Sequence, residues 1–111
     1  MKASITSALA RLPGPPTVRY PQGAPFTAVM AGGTMRVEVF APQGVDVQTP
    51  HAQDELYFVH SGASDIVING QRFAAAAGDA FFVAAQVDHR FENFSKDFVT
   101  WVVLYGPPGG E

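Results

Sequence analysis

The chain contains no cysteine, which excludes disulfide staples, thiol nucleophiles and thiolate-ligated zinc together and leaves nitrogen and oxygen as the expected metal donors. Charge is scarce too. Only 15% of residues are Asp, Glu, Lys or Arg, the formal net charge is -3, and no run of like charges occurs. A nucleic-acid footprint needs a basic patch, so no nucleic-acid partner is expected. No apolar stretch approaches the ~20 residues that cross a bilayer as a helix, so no membrane is expected either. Met1 to Ala10 carries Lys2 and ends in Ala8-Leu9-Ala10, much like a signal-peptide cleavage site, but Ser4, Thr6 and Ser7 break the apolar segment such a peptide requires. A cytoplasmic protein is the expectation.

What is abundant is apolar residue: 47% of 111 positions, enough for one domain with a core of its own. Ile5, Leu9 and Leu12 stand at helical spacing until Pro13-Gly14-Pro15-Pro16 makes continuation impossible. The Pro and Gly density from Pro13 to Pro25 predicts an extended arm lying on a surface, a second subunit being one candidate. Residues 1–25 are therefore set apart as a helix or arm, and residues 26–111 as the folded domain.

From Phe26 onward, short apolar runs alternate with turn residues: Phe26 to Met30, Met35 to Phe40, Glu55 to Val59, Asp65 to Ile68, Arg72 to Ala74, Phe81 to Ala84, His89 to Phe94 and Phe98 to Tyr105. Separators such as Gly32-Gly33, Ser61-Gly62 and Gly78-Asp79 recur as in sandwiches and barrels, so the fold class is all-β. Asn69-Gly70, between Ile66-Val67-Ile68 and Gln71-Arg72-Phe73, predicts a type I′ hairpin, because both residues tolerate positive φ. Leu56-Tyr57-Phe58-Val59 and Trp101 to Tyr105 are apolar on both faces, so one face packs inward and the other needs cover, which a homodimer would supply.

The only histidines are His51, His60 and His89. His51 and Glu55 are four apart. On an unbroken strand their Cα atoms would lie ~13 Å from one another, too far to share a cation. If they co-ligate, the chain must bend between Ala52 and Asp54, and Glu55 then opens a strand with Tyr57 and Val59 pointing its way. Taken alone, the pair equally describes a loop histidine and a solvated carboxylate.

The wider pattern resembles the two signature motifs of the cupin superfamily. His51-Ala52-Gln53-Asp54-Glu55, followed after six residues by Gly62, matches the second half of the motif G-x5-H-x-H-x3 or 4-E-x6-G. Thr49 stands where that motif has its first histidine, and Gly44 is one residue late. Gly78, His89 and Asn93 match the spacings of G-x5-P-x-G-x2-H-x3-N, with Ala84 and Gln86 in place of the proline and glycine. The resemblance covers about residues 33 to 105 and implies a double-stranded β-helix, or jelly-roll barrel, with one mononuclear divalent metal. Carried over by position, His51, Glu55 and His89 are ligands, and Gln53 restores a fourth contact if the bend turns it inward. Two imidazoles, a carboxylate and an amide suit Fe, Mn, Ni or Zn.

For function, the resemblance implies a metal-dependent enzyme on a small organic molecule, most simply a dioxygenase, with Glu55 and His51 as candidate catalytic groups. The rivals are a non-catalytic small-ligand binding or sensing module and a metal-independent isomerase or epimerase using His51 or His89 as base. The scaffold does not choose among these. His60 is expected on the surface, Asp54 to cap the bend and Asn93 to bond a turn. Arg36, Arg72 and Arg90 could grip a carboxylate substrate, although solvated strand edges account for them equally, and Arg90 must point away from His89 by strand parity.

Overall fold

The computed structural model describes residues 1–111. A short helix, α1 (Ile5–Leu9), precedes eight strands: β1 (Phe26–Gly32), β2 (Met35–Phe40), β3 (Asp54–Ser61), β4 (Ala63–Ile68), β5 (Gln71–Ala76), β6 (Ala80–Val83), β7 (His89–Glu92) and β8 (Val99–Tyr105). Every apolar run expected to be a strand is one, since turn residues punctuate the sequence at each end. Asn69 and Gly70 both take positive φ, 50° and 80°, between the paired residues Ile68 and Gln71, as the hairpin requires. α1 starts at Ser4, whose hydroxyl accepts from the Ser7 N–H.

All strand pairs are antiparallel. One sheet runs β1-β2-β8-β3-β6 and the other β5-β4-β7. Their facing sides enclose one core built around Phe40, Tyr57, Val59, Ile66, Phe91 and Phe98. Strand register places residues from neighbouring strands in rows. On the inner face of the larger sheet, Arg36, Leu104 and Glu55 form one row, and Glu38, Val102 and Tyr57 the next. On its outer face, Val37, Val103, Leu56 and Phe82 form a continuous apolar row.

Part of that outer face is covered by the chain itself, since Ala8 of α1 is packed with Val39 and Val99, and Ile5 and Trp101 lie against them. The segment after α1 is not extended. Gly14 N–H donates to Ala24 O at 2.7 Å and Ala24 N–H to Pro15 O at 3.3 Å, closing residues 14–24 into a loop. Proline and glycine serve turns as readily as extended chain, and here backbone groups find partners within the loop. The loop reaches the barrel mouth, where the Tyr20 ring meets Phe26 edge to face with centroids 5.8 Å apart. Gly62 is required between β3 and β4: its φ is +75°, and a Cβ there would sit 2.7 Å from the Phe98 backbone.

Candidate metal centre

Two loops build the site and are hydrogen-bonded to one another. After Pro50 the chain bends at Ala52 and Gln53, then enters β3, which lets His51 turn back toward Glu55. The second loop, between β6 and β7, docks on this bend. Gln86 N–H donates to His51 O at 2.8 Å, and Ala85 N–H donates to the Asp54 carboxylate at 2.8 Å. Asp54 also accepts from the Glu111 N–H, so it fastens backbone and stays outside the ligand group. Gln86, standing where the motif has glycine, takes φ of +67°, a left-handed conformation that explains why glycine suits that place. His89 follows as the first residue of β7 with its ring inward.

Three groups converge. The ligand-type atoms of His51, Glu55 and His89 lie within 4.8 Å of one another. His89 Nε2 is 2.6 Å from Glu55 Oε1, and His51 Nε2 is 3.6 Å from Glu55 Oε2. Glu55 and His89 are each 1% exposed, whereas His51 is 37% exposed and forms the solvent side. Neither oxygen of the buried Glu55 has a hydrogen-bond partner of ordinary geometry. A buried carboxylate left in that state is costly unless a cation or a proton sits against it.

His89 is held in one orientation. Its Nδ1 lies 2.8 Å from Val87 O, to which it must donate, so Nε2 faces the cluster. Burial works to lower the His89 pKa, but the adjoining Glu55 carboxylate, by contact and by charge, and the bond to Val87 O together hold it above the ordinary 6.5. Tyr57 Oη is 3.1 Å from His89 Nε2 and 3.1 Å from Gln48 Oε1. The Gln48 amide is turned by Asp46, which accepts from Gln48 Nε2 at 2.6 Å and from the Phe91 N–H at 2.8 Å. The Tyr57 proton therefore goes to Gln48, and a phenol lone pair faces the cluster. Burial first, then the charges of Glu55 and Asp46, push the Tyr57 pKa well above 10.0, so the phenol is neutral.

Gln53 does not complete the ligand set. Its amide nitrogen donates to Thr34 O at 3.0 Å and Gly106 O at 2.9 Å, because the bend sends the side chain toward the β1–β2 turn and the end of β8. Thr49 is exposed. The phenol oxygen of Tyr57 lies beside His89, with the Gln48 amide oxygen behind it. Sequence reading missed Gln48, Asp46 and Glu38. The first two were detectable as Asp-x-Gln, where a carboxylate bonds the N–H two residues on, here at 3.2 Å. Glu38 was detectable by its parity with Phe40 across β2.

Glu38, Gln48, His51, Glu55 and Tyr57 line a cavity of about 100 Å³ with Tyr20, Arg36, Phe40 and Val102 around it. Glu38 is largely buried and pairs with Arg36 Nε at 2.9 Å. Burial raises the Glu38 pKa, partly offset by the charges of Arg36 and His51. Arg72 and Arg90 are spent outside the barrel on Asp65, Asp88 and Glu92. His60 is exposed. The side chain of Asn93, at φ +56°, donates to Asp65 at 2.9 Å. A larger cleft of about 570 Å³ lies outside the barrel between Leu9, Leu12, Pro25 and Phe98, away from the three ligand groups. No helix is long and apolar enough to cross a membrane.

Comparison with known proteins identifies the fold. The family model described as a cupin domain matches residues 36–105. An uncharacterized protein of Streptomyces coelicolor is 43% identical over 63 residues, covering 57% of this chain and 59% of that protein's length. Among solved structures, KdgF from a Halomonas species superposes with a TM-score of 0.63 at 18% identity, over 70% of this chain and 74% of that one. DMSP lyase DddQ from Ruegeria pomeroyi gives 0.63 at 19% identity, over 73% of this chain and 46% of that one. At these identities the two structures share the fold.

Proposed function

The chain belongs to the cupin family, and from that premise we propose that it is a mononuclear metal-binding enzyme acting on a small organic molecule in the cavity beside His51, Glu55 and His89. The observation that carries the reading is the buried Glu55 carboxylate, whose oxygens lack a well-aligned hydrogen bond and lie 2.6 and 3.6 Å from the nitrogens of two imidazoles. Three protein donors leave coordination positions open for substrate. A divalent ion held there supplies Lewis-acid polarisation of a substrate oxygen and, in the case of iron, access to dioxygen chemistry.

The protein's own groups do the rest. Val87 O fixes the His89 tautomer, and Asp46 through Gln48 fixes Tyr57. Apolar Phe40 and Val102 limit water. Dioxygenase chemistry is the simplest use of such a centre. A second use, metal-assisted proton transfer as in a lyase or isomerase, is favoured by Glu38, a buried carboxylate on the same cavity that is not in the ligand group. It can take or return a proton while Glu55 stays with the ion.

Calorimetric titration of chelator-treated protein with Mn(II), Fe(II), Ni(II) and Zn(II) tests the reading. One ion per chain, lost in His89→Ala and kept in His60→Ala, is the expected result; no binding by any of the four overturns it. Oxygen uptake by the Fe(II) form, against solvent-deuterium incorporation by the Zn(II) form, then separates the two chemistries. The homodimer expected from two-faced apolar strands is proposed to form through the outer row of Leu56, Val103 and Phe82, the last 53% exposed. A monomer at all concentrations in sedimentation would refute it.

A further inference from the structure

The other charged group on the inner wall is Arg36. Its place follows from register: β2 alternates, Arg36 sits in the inner row opposite Leu104, and Glu55 is in that same row one strand further on. Two inter-strand steps, ~10 Å, separate the Arg36 and Glu55 backbones, and both residues line the cavity from the same face of the sheet. Arg36 is anchored by Nε on Glu38 at 2.9 Å, yet its side chain remains 51% exposed. Its two terminal nitrogens have no protein partner, unlike those of Arg72, which hold Asp65 and Glu92 at 3.0 and 2.6 Å.

An arginine on the cavity lining, held by Nε and with both terminal nitrogens unpaired, keeps free the fork that carboxylates match. Charge points the same way. With a dication among His51, Glu55 and His89, that ion and Arg36 are the two positive groups at the cavity, balanced by Glu38, Glu55 and the nearby Asp46, and each can take an acid's oxygens. Size sets the class, since about 100 Å³ is well below the ~300 Å³ at which drug-sized pockets begin. Phe40 and Val102 add apolar surface to the cavity lining.

We propose that Arg36 is the carboxylate-binding residue of this cavity and that the molecule it takes is a small monocarboxylic acid whose other end reaches the His51, Glu55 and His89 cluster. Glu38 positions Arg36 by holding Nε. The inference rests on the metal-centre reading above, and the test separates the two. Co(II)-loaded protein, whose visible absorption changes when a ligand enters the shell, is titrated with acetate, glycolate, lactate, pyruvate and acrylate and with the matching neutral amides. At least one acid should bind about tenfold or more tighter than its amide, as a charge-assisted bond implies.

In Arg36→Gln that preference should fall to within about twofold while Co(II) affinity is unchanged, and Arg36→Lys, which keeps the charge and loses the fork, should lie between. Should the glutamine variant fail to fold, the lysine variant alone decides, since retained preference for the same acid with unaltered affinity counts against the fork. No preference for any acid, or full preference in Arg36→Gln, overturns the assignment of Arg36. Failure to load Co(II) strikes the metal centre instead.

Discussion

The barrel interior has two ends made from the same strands, and they are opposite in character. One end is dry: Phe91 packs edge to face on Tyr57 and against Phe98, ring centroids 5.0 Å apart in both cases, with Ile66 and Val59 alongside. The other end holds His51, Glu55, Gln48 and Glu38 around a small cavity, with His89 against Glu55. Tyr57 is the boundary, its ring in the dry end and its hydroxyl in the polar one. The contrast teaches that stability and chemistry are assigned to separate stretches of strand: Glu55 and Val59 are four residues apart on β3, and His89 and Phe91 two apart on β7.

Substitutions should break the two ends differently. The largest loss of stability is expected in Phe91→Ala, about 3–5 kcal/mol by urea unfolding, with divalent-ion binding by the remaining folded protein little changed. Next, saturating metal should stabilise the wild type by about 3–4 kcal/mol at 100 to 1,000 times its dissociation constant. That increment should vanish in His89→Ala and Glu55→Gln, measured as the shift in melting temperature on adding Zn(II).

pH sharpens the distinction. In metal-free protein the raised pKa of His89 means that protonation favours the folded state. This contribution is complete below the unfolded value of 6.5 and is lost as pH climbs through the higher folded value. Metal-free protein should therefore weaken as pH rises above 6.5, whereas the increment from metal should grow, because ion and proton compete for the same nitrogen. Glu55→Gln should flatten the metal-free profile. The smallest effect is expected in Gln48→Ala, about 1 kcal/mol from the lost Tyr57 bond, with tighter dependence of ion binding on pH as the freed phenol turns to His89.

Much of this was legible in the residues. Alternation gave the strands, Asn69-Gly70 the hairpin, and motif spacing gave the three groups that converge, since His51 and Glu55 can meet only if the chain bends where Ala52 and Gln53 do bend. The remainder depended on rotation about side-chain bonds and on loop docking. Gln53 offers an amide oxygen on paper, but two carbonyls from distant turns claim its nitrogen. Tyr20 belongs to a segment whose composition allows extension or looping, and only closure between Gly14 and Ala24 brings it to the mouth. The value of Arg36 emerged from which nitrogens its neighbours left free.

Trp101 is the single indole of the chain, and it lies outside the barrel against the patch where α1 is seated. Its fluorescence is thus an optical gauge of whether the helix is on or off, largely separate from events in the cavity on the other side of the sheet. Detachment of residues 1–12 could be followed by emission colour while the ion is followed by its own spectrum, so the two processes can be timed independently in one cuvette.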